Sequence, residues 1–316
     1  MKENQASLTA MLVAYLRAYH SMHDTPKIYD DFLAYDLISK EKRVLIEQHL
    51  IVLIEQHLIE QNVTWDKQLN DPKNTASLFD WITTSEFLMQ GISNFVNRAR
   101  YAEETLKKAV KQGVTQYVIL VAGMDNFAFR KPEMMKHLEV FEVDHPATQE
   151  FKLHRLAELK WEHPAKLHFI PIDFTKGSLV TALTNSSSYN SNVKSFFSWL
   201  DVIPYLTKDE VFTTLRSITE IAPMGSTIVF DYFDTDVFIP EKSSPQMQKL
   251  LEYLRKIGEP MITGFDPSNL AEELASLGFS LQENLSPTDI EEYYFKGRTD
   301  GYHAREHVHF ACAVIK

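Results

Sequence analysis

Residues 116–152 constrain the fold of this chain more than any other stretch. QYVILVAGMDNFAFR at 116–130 is an apolar run that stops at a glycine turn and leads into a helix-like segment. LEVFEVDHPATQEFK at 138–152 is a second apolar run, and it ends on an acid, Asp144. Two short buried strands joined through a helix form a βαβ unit, the building block of a parallel α/β sheet. In such sheets ligands bind beyond the carboxyl ends of the strands. Gly123 and Asp144 therefore fall where a ligand would lie, and an acid at the end of the second strand suits the two hydroxyls of a ribose.

The turn discriminates between nucleoside-bearing cofactors. A dinucleotide site needs G-x-G-x-x-G so that backbone can approach a pyrophosphate at a helix N-terminus. Here the turn is Val121, Ala122, Gly123, Met124, Asp125, with a single glycine and an acid where the pyrophosphate would sit. That charge disfavours a phosphate and suits an ammonium. S-adenosyl-L-methionine has a ribose, an ammonium, a sulfonium and no phosphate, and fits this turn better than a nicotinamide dinucleotide.

The rest of the chain reads as alternating strands and helices. Ser7 or Thr9 can cap a helix running to about Tyr19, with Leu8, Leu12, Tyr15 and Tyr19 on one stripe. After Pro26 a second helical region is expected over Asp30–Ile38, and a long one over Thr84–Lys111, with Gly113 as its stop. VLIEQHLI occurs at 44–51 and again at 52–59, a tandem copy that predicts a lengthened or bulged helix. Strands are expected at 116–121, 138–143, 167–172, 194–200, 226–231, 279–285 and 307–315. Residues 234–248, with Pro240 and Pro245, break the rhythm.

A formal charge of −11 without a Lys/Arg run argues against nucleic acid. The polar start MKENQASL lacks a signal-peptide core, and FFSWLDVIPYL at 196–206 is too short to span a bilayer, so no membrane association is expected. One cysteine, Cys312, permits no internal disulfide and fits a cytoplasmic location. His303 and His307 have the spacing of a zinc pair on a helix, but no third ligand is evident, and HVHFACAV instead puts His307 and His309 on one strand face. No metal is expected.

G-x-D followed by an Arg, then E-V-D-x-P followed by a Lys, resembles the leucine carboxyl methyltransferase family. More closely, it resembles that family's bacterial S-adenosylmethionine-dependent O-methyltransferases, some linked to polyketide synthesis. SLTAMLVAYLRAYH at 7–20, FVNRARYAEETL at 95–106, HFIPIDF at 168–174, WLDVIPYLT at 199–207 and GFDPSNLAEELASLGF at 264–279 continue the likeness in order. The resemblance implies an α/β fold with a Rossmann-like, mostly parallel seven-stranded sheet whose last strand is inserted antiparallel. It also implies a helical N-terminal cap over 1–112 and a cofactor-binding domain over 113–316, with a lid-like insertion near 234–262, in one continuous unit. The activity it implies is O-methyl transfer to a carboxylate or hydroxyl of a small molecule. A non-catalytic cofactor-binding relative and an NAD-type oxidoreductase are the alternatives.

Seven residues are candidates for the cofactor site. Asp144 would take both ribose hydroxyls, or cap the helix that begins at Pro146, and the roles can coexist. Gly123 would let the cofactor approach the backbone; the family has glycine where this chain has Val121. Asp125 would accept from the ammonium or complement a helix dipole. By resemblance, Asp173 would take the adenine amino group and the Phe174 N–H a ring nitrogen. Arg98, with Arg100 as a rival, would clamp the cofactor carboxylate. The family's acid near 200 falls on Leu200 here, with Asp201 next to it. Strand side chains alternate faces, so Asp201 can serve only if the backbone twists at the strand end. No catalytic base stands out, which is compatible with an acceptor that is already ionised.

Overall fold

The computed structural model describes residues 6–60, 86–174 and 176–316, and for 53–60, 86 and 87 the backbone alone. Helix α1 (Leu8–His23) starts where Ser7 Oγ accepts from Ala10 N. It is followed by α2 (Ala34–Leu37), α3 (Lys40–Glu60) and α4 (Glu86–Lys111). The α/β part then runs β1 (Gln116–Leu120), α5 (Phe127–Arg130), α6 (Pro132–Met135), β2 (Glu139–Asp144), α7 (Pro146–Glu158), β3 (Leu167–Pro171) and α8 (Leu179–Thr184). It continues through β4 (Ser195–Trp199), α9 (Lys208–Ile221), β5 (Thr227–Phe233), α10 (Pro245–Lys256), α11 (Leu270–Ser276), β6 (Phe279–Leu285), α12 (Pro287–Ile290) and β7 (Val308–Ile315).

These strands form a seven-stranded sheet in the order β3-β2-β1-β4-β5-β7-β6. β3 to β5 pair in parallel, and β7 pairs antiparallel with both β5 and β6. The order reverses between β1 and β4, which is the crevice where an open α/β sheet receives its ligand. Each strand feeds two cores because side chains alternate faces. Tyr117, Ile119, Val140 and Phe196 pack with α1, α3 and α4, whereas Val118, Leu120, Phe141 and Phe197 pack with α8, α9 and α11. Fully burying each such side chain contributes about 1.5–3 kcal/mol.

The N-terminal helices differ in detail from the sequence expectation. Helix α1 is buried nearly all round, while Leu8, placed on its apolar stripe, is 48% exposed. Of the helical region expected at 30–38, only Ala34–Leu37 forms a helical turn. The expected helix from Thr84 begins at Glu86, with its first two residues outside the described ones, and Gly113 ends it with φ of 93°. The tandem copy is accommodated by lengthening, since α3 runs unbroken through both repeats. His307 Nδ1 and His309 Nε2 lie 2.9 and 3.2 Å from the two oxygens of Asp234, so these histidines share a face. The Cys312 thiol is buried, and burial pushes its pKa up to about 12. No described helix is long and apolar enough to cross a membrane. Among the described residues, no cluster of three His, Cys, Asp or Glu side chains is placed to hold a metal.

Candidate active site

The turn after β1 and the acid ending β2 meet directly. β1 and β2 run parallel in register, so Leu120 faces Val143 and the two strands end together. The Gly123 N–H donates to Asp144 Oδ2, and the His145 N–H donates to Oδ1 at 2.6 Å. Burial raises the Asp144 pKa, and these two backbone donors oppose that rise. Asp144 is only 3% exposed and does not line the cavity beside this turn. The expected helix-capping role goes instead to His145, whose Nδ1 accepts from Ala147 N at 3.2 Å. Gly123 has φ of 55°, and a Cβ there would lie 3.0 Å from Ala10 Cβ. The first turn of α1 therefore lies against this glycine, close enough that a side chain would force one of them to move.

Beside the turn is a cavity of about 160 Å³, lined by Arg98, Gly123, Asp125 and Asp201 together with residues of α1 and β4. Arg98 is buried on α4. Its Nη1 lies 2.7 Å from Asp201 Oδ1 and 3.2 Å from Asp231 Oδ2, and its guanidinium stacks 4.8 Å over Phe95. Asp231 also accepts from the Asp201 N–H at 2.7 Å. Burial raises the Asp231 pKa, with Arg98 pulling it back down. Asp201 reaches Arg98 because its φ is 62°, the left-handed twist that redirects its side chain away from strand alternation. Arg100, the rival, pairs with Glu104 at 2.8 Å on the outer face of α4 and does not line the cavity.

Asp125 stands between α5 and the cavity. Its Oδ1 accepts from Phe127 N at 2.7 Å at the start of α5, and it also lines the cavity. Burial raises its pKa, opposed first by Lys152. Lys152 on α7 donates to the Asp125 carbonyl and to Glu142, tying the turn to β2. Asp173 and Phe174 follow β3, one strand beyond Asp144. They do not line the cavity: Asp173 Oδ2 lies 3.1 Å from Lys176 Nζ, and Phe174 is exposed.

A second cavity of about 390 Å³ adjoins the first, and Thr9, Val13, Phe95 and Asp201 line both. Its walls are mostly apolar and come from α1, α3, α4 and α10, including Leu12, Leu50, Leu88 and Leu254. Its polar groups include Tyr205, Glu259, His49 and Arg305. Its volume lies within the roughly 300–1,000 Å³ of small-molecule sites. Sequence reasoning missed Asp231 and Arg305. An acid inside the apolar run TIVFDYF was a readable signal for Asp231; Arg305 depends on how distant segments pack.

A profile of the family described as leucine carboxyl methyltransferase matches residues 10–219. A protein of Bacillus subtilis (strain 168), named as a proposed S-adenosyl-L-methionine-dependent methyltransferase, is 36% identical over 316 residues, 100% of either chain. A similarly named protein of Mycobacterium bovis (strain BCG / Pasteur 1173P2) is 25% identical over 279 residues, covering 86% of this chain and 73% of its own. Among solved structures, a duf574 family protein from Streptomyces avermitilis MA-4680 aligns with a TM-score of 0.53 at 13% identity, covering 79% of this chain and 95% of that one. At that identity the likeness speaks for the fold alone.

Proposed function

This chain belongs to the leucine carboxyl methyltransferase family, and we propose that it moves a methyl group from S-adenosyl-L-methionine to a carboxylate or hydroxyl oxygen of a small molecule. The observation that carries this reading is the junction of two cavities at the carboxyl edge of the sheet, one beside the Gly123 turn that Arg98, Asp125 and Asp201 line, and one with mostly apolar walls.

The residues present fit the cofactor. A Cβ at Gly123 would crowd Ala10, and the Asp144 carboxylate, bonded to the Gly123 N–H, is the acid assigned to the ribose. Asp125 suits the ammonium and Arg98 the carboxylate of the methionine end, while Asp173 and Phe174, one strand over, suit the adenine. Asp125, in place of further glycines, disfavours a pyrophosphate.

When bound, S-adenosyl-L-methionine supplies an electrophilic methyl group on its sulfonium. The chain's own task is then positioning. Asp201 and Asp231 fix the Arg98 guanidinium in one orientation, and the apolar walls exclude water from the acceptor. Holding two reactants aligned can supply several kcal/mol of barrier reduction. An ionised acceptor needs no base. For a hydroxyl acceptor, His49 is the histidine lining the chamber, with Nε2 2.7 Å from Tyr253 Oη.

Isothermal calorimetry tests the cofactor assignment. S-adenosyl-L-methionine should bind, NAD should not, and Asp144→Ala should weaken the binding at least tenfold. No binding of S-adenosyl-L-methionine, or tighter binding of NAD, would refute the reading.

A further inference from the structure

Among the described residues, Arg305 is the buried arginine that no acidic side chain pairs with. It is only 8% exposed, and its Nε has no hydrogen-bond partner. The other buried arginines are matched: Arg98 with Asp201 and Asp231, and Arg130 with Glu103. A buried guanidinium without a counter-charge is costly, and folds keep such a group where something else completes it. Arg305 lines the apolar chamber. Of the two acids that also line it, Asp201 pairs with Arg98 and Glu259 Oε2 accepts from Thr9 Oγ1 at 2.9 Å, and neither forms an ion pair with Arg305. Burial lowers the Arg305 pKa to about 10, with Asp201 and then Tyr205 opposing, so the guanidinium is charged at neutral pH.

Building on the methyltransferase reading, we infer that Arg305 is the anion-recognition residue of this chamber, and that its ligand is a small apolar monocarboxylate whose hydrocarbon part lies among Leu12, Leu50, Leu88 and Leu254. A guanidinium can bind a carboxylate through two parallel N–H···O bonds. Apolar walls with one charged donor select the anion over the corresponding alcohol, because the alcohol leaves the buried charge uncompensated.

The test is calorimetric titration of the full chain with octanoate and with 1-octanol, for the unaltered protein, Arg305→Met and Arg305→Lys. The unaltered protein should prefer octanoate at least tenfold. Arg305→Met should bring the two probes within about threefold of each other, and Arg305→Lys should keep part of the preference. Without ligand, Arg305→Met should melt at a higher temperature than the unaltered protein, since an uncompensated charge is replaced by an apolar chain of similar length. Equal binding of the two probes by the unaltered protein, no binding of either, or a preference that survives in Arg305→Met overturns the inference. So does a lower melting temperature in Arg305→Met with octanoate preference unchanged, which would make Arg305 a structural residue. A parallel titration with S-adenosyl-L-methionine separates the two readings. If the cofactor binds and octanoate does not, only the Arg305 assignment falls; if octanoate binds and the cofactor does not, only the methyltransferase reading falls.

Discussion

Two residues without glycine's freedom hold left-handed backbone at the carboxyl ends of neighbouring strands: Val121 after β1, with φ of 57°, and Asp201 after β4, with φ of 62°. For Asp201 the conformation has a return, since it aims the carboxylate at Arg98. Val121 is β-branched, and such a residue at positive φ is a genuine outlier. The strain costs about 1–2 kcal/mol, partly offset because glycine would loosen the unfolded chain by about 0.4–1 kcal/mol. Val121→Gly is therefore expected to raise stability by roughly 0.5–1 kcal/mol in urea denaturation, with no loss of affinity for S-adenosyl-L-methionine. A lower urea midpoint would mean that contacts of the half-buried Val121 side chain outweigh the strain.

At the level of elements, the turn is braced from behind by α7 and β2. Lys152 and Glu142 form a buried ion pair, and Lys152 also binds the Asp125 carbonyl. Burial raises the Glu142 pKa from 4.5 to about 7, with Lys152 opposing. A carboxyl whose pKa is higher in the folded than in the unfolded state takes up its proton more readily when folded. Its contribution to stability is thus complete below pH 4.5 and is lost as pH rises through about 7. Glu142→Gln is expected to flatten the stability profile between those limits, even though the variant is less stable because Lys152 loses its counter-charge. An unchanged slope in urea midpoints measured across that range would remove Glu142 as its source. The strand ends around this brace were legible in the sequence, because a short apolar run followed by glycine or by acid–proline marks its own boundary. Helix α2 was not: residues 30–38 have helical composition, yet only four of them close a helical turn. Asp201 was legible as a candidate only through its neighbours, since strand alternation alone would have turned it away from Arg98.

For the molecule as a whole, the cavity beside the Gly123 turn gathers segments far apart in sequence: α1, α4, the β1 turn and the end of β4. S-adenosyl-L-methionine should therefore slow amide hydrogen exchange in residues 7–17, 95–103, 121–125 and 198–202 together, and leave 270–285 unchanged. Slowing confined to 121–125 would mean that the helices do not close on the cofactor. The parallel half of the site was legible because its residues sit at strand ends, which the fold class locates. Of the apolar chamber only the contributing segments, the N-terminal helices and 234–262, were expected from the sequence; its lining was not, because it forms only where α1, α3, α4 and α10 converge, and no local pattern encodes that meeting. Arg305 precedes the antiparallel β7, and Phe233, Leu250, Tyr253 and Met261 also border the chamber. All five lie beyond residue 219, where the match to the family profile stops. The residues assigned to the methyl donor, Arg98, Gly123, Asp125, Asp144 and Asp201, lie inside the matched stretch, whereas the chamber proposed for the recipient is built jointly by that stretch and by the segment that follows it.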